Sequence, residues 1–219
     1  MRTISKRKLA ATGFAAALVG SFALTLSPLT AEAASYTCNG KKATIVGTNG
    51  DDYIRGTSGN DVIVTLGGND EIDGRGGNDT ICAGSGYDEI DGGSGNDWID
   101  GGSQGDEIDG GSGNDTIYGG SGHDEIDGEE GNDKIYGGSG HDQIEGGSGN
   151  DTIKAGSGHD HVEGDSGNDK IWGESGHDLL EGNSGSDSIS GGSGTDVIVQ
   201  GSASDRVEDR WEERYGLDD

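Results

Sequence analysis

A nine-residue period, held in frame for eighteen copies from Gly47 to Glu208, limits what this chain can fold into more than any other feature. The sixth residue of every copy is aspartate: Asp52, Asp61, Asp70, Asp79, Asp88, Asp97, Asp106, Asp115, Asp124, Asp133, Asp142, Asp151, Asp160, Asp169, Asp178, Asp187, Asp196 and Asp205. Two residues later stands one aliphatic side chain, isoleucine in fifteen copies and Val162, Leu180 and Val207 in the others. The fullest copies read Gly-Gly-Ser-Gly-Asn-Asp-x-Ile-x, as from Gly110 to Tyr118. A strict period gives each unit the same shape and stacks it on its neighbour. Nine residues cannot hold a helix pair, so helical repeat folds are excluded.

Each copy divides into a turn of six residues and a strand of three. Glycine fills position four in sixteen copies and position one in fourteen, where a tight turn needs positive φ or close backbone approach. Position five is usually Asn or His, residues that tolerate the left-handed region better than most. Strand side chains alternate, so position eight points inward while seven and nine face solvent. One inward residue per strand cannot make a core unless a second strand faces it, and two copies per coil supply that strand. The eighteen-residue coil is visible in the sequence: Asn78, Asn96, Asn114, Asn132, Asn150 and Asn168 form one series at position five, and His123, His141, His159 and His177 the other. The expected fold is all-β, a right-handed parallel β-roll of two sheets. About nine coils would stand roughly 43 Å tall at about 4.8 Å each.

The chain ends and composition set further bounds. Arg2, Lys6, Arg7 and Lys8 followed by the apolar run Leu9 to Leu26 and by Ala31-Glu32-Ala33 read as a secretory signal over residues 1–33. No later segment is apolar enough to cross a membrane. Without the signal the net charge moves from −28 to −31, because four bases and one acid leave with it. That charge excludes nucleic acid as a partner and favours metal cations or basic surfaces. With 47 glycines and few aromatics a chain is normally disordered. The period argues otherwise, as does the confinement of the single proline, Pro28, to the signal. Two cysteines in an exported chain suggest a Cys38–Cys82 bridge. If the nine-residue frame ran back to Cys38 the pair would lie at opposite ends of a strand, so bridging requires the chain to leave the frame before Ile45.

The phrase Gly-Gly-x-Gly-(Asn/His)-Asp-x-Ile-x resembles the RTX, or haemolysin-type, calcium-binding nonapeptide repeat. The resemblance implies calcium between successive turns on each edge of a β-roll, held by the repeat aspartates from Asp52 to Asp196 and by carbonyls of the glycine turns. Some copies depart from the pattern. Gln104 takes the fourth place before Asp106, Thr65 and Leu66 replace the leading glycines before Asp70, Glu129 and Glu130 intrude before Asp133, and Ala203 replaces the turn glycine before Asp205. Many RTX proteins leave the cell through an exporter that reads a C-terminal signal, whereas this chain carries an N-terminal one. Toxin and protease roles belong to attached domains in that family, and such roles are not expected of this chain.

Calcium takes six to eight oxygens at about 2.4 Å, so oxygens on opposite sides of one ion lie roughly 4.8 Å apart, the spacing of stacked strands. One carboxylate per copy is too few for a self-contained site, and neighbouring turns must contribute. An EF-hand fails on spacing, since Asp70-Glu71-Ile72-Asp73-Gly74 puts Ile72 where a ligand should be. Nine turns per edge leave eight gaps, hence up to about sixteen ions carrying about +32, close to the opposing protein charge. Folding is expected to await calcium.

Other features keep two readings open. The histidine series could bind zinc or nickel, or could replace asparagine at a turn of unusual φ. The strand face of the histidine copies is acidic (Glu89, Asp91, Glu107, Asp109, Glu125, Asp127, Glu145, Glu163 and Glu181), either a solvated face or one that attracts a basic partner or further weakly held cations. The opposite face carries Trp98, Tyr118, Tyr136 and Trp172, either packed across strands or serving as a polysaccharide platform. Residues 34–46 read as an N-terminal capping strand, 47–208 as the roll, and 209–219, with Trp211 and Tyr215, as a short helical cap. The functional expectation is a secreted, non-enzymatic calcium-binding repeat protein. The alternative is an extracellular adhesin or cell-wall-binding module with structural calcium.

Overall fold

A computed structural model of the chain describes residues 36–199, residue 201 and, for the backbone alone, residues 206–208. The expected signal and the helical cap over 209–219 lie outside the described residues. Within them the chain is a parallel β-solenoid of about nine coils. One sheet, here the asparagine sheet, stacks Ile45–Val46, Val62–Val64, Thr80–Ser85, Trp98–Ser103, Thr116–Ser121, Lys134–Ser139, Thr152–Gly158, Lys170–Gly176, Ser188–Ser190 and Arg206–Glu208 in chain order. The other, the histidine sheet, stacks Tyr53–Arg55, Glu71–Asp73, Glu89–Asp91, Glu107–Asp109, Glu125–Asp127, Gln143–Glu145, His161–Glu163, Leu179–Glu181 and Val197–Val199. Every neighbouring pair is parallel and offset by one coil, as in Ile117↔Ile135 and Ile108↔Ile126.

The register puts the position-eight side chains of both sheets into one core. From Ile63 to Ile189 they are at most 2% exposed and form a single cluster, while Ile45, Ile54 and Ile198 pack against its ends. A register slip of one residue would turn the aliphatic side chain of a copy to solvent, so the pattern fixes the pairing. The sheets differ in strand length. Histidine-sheet strands span three residues, as expected, but asparagine-sheet strands from Thr80–Ser85 to Lys170–Gly176 continue for six or seven through the start of the next copy.

Glycine serves two separate ends. Positive φ falls at positions two and four, as in Gly93 (92°) and Gly95 (139°). Non-glycine residues accept it at position two in Leu66, Arg75, Glu129, Asp165, Glu174 and Asn183, and at position four in Gln104. Gln104, at φ 79°, keeps its turn, and Asp106 remains buried behind it. Position-five residues do not adopt positive φ, which overturns that explanation for Asn and His there.

The frame ends at the N-terminus in a hairpin. Thr37–Cys38 pairs antiparallel with Lys41–Lys42 across Asn39 and Gly40, both at positive φ as a tight two-residue turn requires. The hairpin brings the Cα atoms of Cys38 and Cys82 to 5.9 Å, with the sulfurs joined. Cys38 and Ala43 form a second small core with Val64, and Val62, Cys82 and Trp98 pack against it. Further along this face Tyr118 and Tyr136 stack on each other, 4.7 Å between centroids and 6° between planes. One face of each ring is therefore taken up by cross-strand packing, and Lys154 Nζ stands 5.9 Å from the Trp172 ring centroid.

Candidate metal site

Each repeat aspartate follows the turn and precedes the strand, so its Cβ points into the turn region. There its two oxygens have different fates. Oδ1 accepts the backbone N–H of the aspartate one coil earlier: Asp97 N–H donates to Asp115 Oδ1 at 2.7 Å, and Asp106 N–H to Asp124 Oδ1 at 3.0 Å. The same bond recurs along both edges, ending at Asp187 and Asp196. Oδ2 is buried without a hydrogen-bond partner in every repeat aspartate from Asp70 through Asp178, and in Asp196. A buried carboxylate oxygen left unpaired is costly, and repetition at each coil marks it as a built feature.

The position-one glycine shows what the orphan oxygen faces. A Cβ on Gly110 would lie 3.0 Å from Asp115 Oδ2 and 3.1 Å from the carbonyl oxygen of Gly128 in the next coil. On Gly146 it would lie 3.0 Å from both Asp151 Oδ2 and the Gly164 carbonyl oxygen. Omitting the side chain thus leaves a space where a carboxylate oxygen and a carbonyl oxygen from successive coils converge, bounded on the core side by the isoleucine methyl of the same copy, Ile117 Cδ1 or Ile153 Cδ1. Ala83 and Ala155 fill that place in the copies of Asp88 and Asp160. Among the described residues, no three His, Cys, Asp or Glu side chains are close enough together to hold an ion as they stand. A hard cation at the turns would need main-chain oxygens, and this space offers them. The donor set of carboxylate and carbonyl oxygens, without nitrogen or sulfur, fits calcium.

Asp52 and Asp61 differ from the rest. Asp52 Oδ2 accepts the Thr48 N–H at 2.6 Å and its hydroxyl at 3.0 Å. Asp61 Oδ2 is held likewise by Thr57, at 2.7 and 2.9 Å. In these first two copies a protein hydroxyl and amide occupy the oxygen that is orphaned elsewhere. The sequence signal was Thr at position two, found only in these two copies.

Burial drives the carboxyls toward the neutral form. It pushes Asp97, Asp106, Asp133, Asp142 and Asp169 up to about 7 and Asp115, Asp151 and Asp178 to about 6, against the lowering effect of the amide bond. Like charges one coil away add to the rise at Asp106 and Asp133. Asp124 and Asp160 are also raised by burial, with the neighbouring imidazoles opposing the rise. A divalent ion would supply the charge these columns lack.

Position five forms a second column on each edge. Asn96 N–H donates to Asn78 Oδ1 at 2.9 Å, and the pattern runs from Asn60 through Asn168 to Ser186. On the other edge His141 N–H donates to His123 Nδ1 at 2.7 Å, His159 to His141 at 2.7 Å, His177 to His159 at 3.0 Å and Thr195 to His177 at 2.8 Å. The rings stack at 4.9 to 5.1 Å. Histidine replaces asparagine here as a hydrogen-bond acceptor. An Nδ1 that accepts leaves the proton on Nε2, so a neutral ring has no lone pair to offer a metal.

No helix among the described residues is long and apolar enough to cross a membrane. A search of curated proteins finds no match. The family model of the RTX calcium-binding nonapeptide repeat matches residues 46–81 and, in overlapping segments, 83–207. With that repeat over most of its length, on a parallel solenoid with an aspartate in every turn, the chain belongs to the RTX calcium-binding nonapeptide repeat family.

Proposed function

We propose that this is an exported, non-enzymatic protein whose roll assembles only as calcium enters between successive turns. The observation that carries the reading is the column of buried, unpartnered Oδ2 atoms facing next-coil carbonyl oxygens on each edge. The ligands from the side chains are the repeat aspartates from Asp70 to Asp196, with Asp52 and Asp61 contributing less because Thr48 and Thr57 already cap them. The chain's own residues do three things. Asp Oδ1 ties its turn to the one a coil earlier by accepting that aspartate's backbone N–H, the missing Cβ at position one leaves room, and the isoleucine core sets the coil spacing. Calcium, when bound, would cancel the charge of the columns, and such binding free energy becomes folding free energy. The signal-like start at residues 1–33 supports export to a calcium-rich exterior.

Two measurements test this together. Native mass spectrometry in millimolar calcium should count many ions, up to about sixteen by the gaps between nine turns on each edge. Circular dichroism should lose its sheet signal on chelation. A chelated chain that keeps its sheet signal and resists proteolysis would end the proposal.

A further inference from the structure

The N-terminal end of the roll holds itself together with more of its own groups than any later coil. In the first two copies Thr48 and Thr57 occupy the Oδ2 atoms of Asp52 and Asp61. In the third, Thr65 stands at position one, and its buried hydroxyl donates to the carbonyl of Ala83 one coil on. That carbonyl is the counterpart of those that face the orphaned oxygens further along. From Asp79 through Asp178, by contrast, every repeat Oδ2 is unpartnered. The same end has a second core, in which Cys38, Ala43 and Val64 are buried with Val62, Cys82 and Trp98 against them. The strand Val62–Val64 is thereby covered on both faces, Ile63 by the main core and Val64 by the hairpin side. Lys41 Nζ adds a bond to the buried Thr80 hydroxyl at 2.8 Å. Finally, Cys82 is the last residue of the fourth copy, so the bridge from Cys38, 44 residues away, encloses the first four copies whole.

We infer that the hairpin and the first four copies, residues 37–82, are the seed of the roll: they order first when calcium is added, and the remaining coils grow on them toward the C-terminus. This rests on the reading that calcium drives assembly, and it sets where that assembly begins. In a stack whose units touch only their neighbours, ordering can start anywhere and spread, so it starts where the first pair of coils costs least. A loop already closed has less disorder to lose, and here the closed loop holds two complete coils. The hydrogen bonds give each later step its geometry. Asp70 and Asp79, the last repeat aspartates of the seed, present N–H groups that Asp88 and Asp97 Oδ1 accept at 2.8 and 2.7 Å. Each arriving coil thus docks one carboxylate oxygen on the coil beneath it. The other oxygen is left toward the carbonyl of the coil to come, as Asp97 Oδ2 and the Gly110 carbonyl oxygen converge about Gly92. The competing accounts are a C-terminal start and simultaneous ordering of all copies.

The test is calcium addition to the chelated, oxidised full chain, followed by pulse-labelled hydrogen exchange read peptide by peptide. Amides of residues 44–82 are expected to gain protection before those of 134–199, a result that needs no substitution. Joint Cys38→Ser and Cys82→Ser replacement should slow formation of the whole sheet about fivefold or more by circular dichroism, because the loop is no longer closed beforehand. Reductant on the unsubstituted chain should slow it likewise. Ile189→Val, in the last coils, should leave the order unchanged and the rate within about twofold, and act on unfolding instead. C-terminal amides protected first, all amides protected together, or a rate indifferent to loss of the bridge would each overturn the seed. Protection of the whole chain in chelator would show itself before calcium is added, and would remove the calcium reading and the seed with it.

Discussion

On one edge of the roll an asparagine amide oxygen receives the next coil's N–H, while on the other an imidazole nitrogen does so. Asn96 and His141 occupy equivalent places and make equivalent bonds, although one side chain is an amide and the other an aromatic ring. What position five requires is therefore an acceptor at a fixed reach, rather than a residue tolerant of positive φ. The edges then diverge. Asparagine also extends its own chain, with Asn132 Nδ2 donating to Asn114 Oδ1 at 3.0 Å. Histidine stacks instead, and its ring opposes the rise in pKa at Asp124 and Asp160. The asparagine column runs from Asn60 without interruption, whereas Tyr87 and Gly105 leave the histidine column without a side-chain acceptor for two coils.

The severest way to break the comparison is to remove calcium. If the orphaned oxygens bind it on both edges, chelation should abolish hydrogen-exchange protection on both together, and persistence on one edge would show that the edges differ in kind. Next in size come the position-four glycines. A Cβ on Gly140, on the histidine edge, or on Gly149, on the asparagine edge, would overlap the carbonyl of Gly122 or Gly131 at a φ of 153° or 144°. Gly140→Ala and Gly149→Ala should each cost more than about 1 kcal/mol in calcium-loaded denaturant unfolding, and by similar amounts. Gly137→Ala at position one should cost less, since Ala155 already stands in that place one coil on.

A third prediction concerns pH. The aspartates held near 7 by burial bind more protons folded than unfolded. Their contribution to the metal-free roll is full below the unfolded value near 3.8 and is lost as pH rises through about 7. In chelator, sheet content should therefore grow as pH falls from about 8 toward 4, and calcium affinity should fall over the same interval because protons compete. Circular dichroism and calcium titration at stepped pH would check both signs.

Smaller effects sharpen the contrast between the edges. His141→Asn should change stability by under about 0.5 kcal/mol, whereas His141→Ala, which removes the acceptor for His159 N–H, should cost about 1 kcal/mol. Equal costs for the two would show that the ring stack, not the hydrogen bond, is what matters. Smallest of all, Thr57→Gly, which removes the hydroxyl from Asp61 Oδ2 and frees the turn to adopt the Gly-Gly form of other copies, should add one calcium to the count by native mass spectrometry, with no change in sheet content.

Much of this was legible in the sequence because repetition multiplies weak signals. A single Asp-x-Ile says little, but eighteen in frame fix the strand, the inward face and the eighteen-residue coil. The turn was harder to read. Glycine frequency pointed to positions one and four, yet Glu129, Asp165 and Asn183 show that position two also carries positive φ, which its mixed composition hid. Capping of Asp52 by Thr48 was equally hidden, since Thr looks like an ordinary substitution until its hydroxyl is seen on the carboxylate.

The period by itself determined the parallel stack, the single-file isoleucine core and the presence of one carboxylate per turn, because a shape repeated without change can only pile up on itself. Only the tertiary structure decided which oxygen of each aspartate is engaged and which is left over, which histidine nitrogens are occupied, and how the N-terminal hairpin carries Cys38 to Cys82. Those outcomes depend on distances between residues eighteen or more apart in the chain, and a linear pattern does not encode the direction in which a side chain turns once its neighbours have stacked.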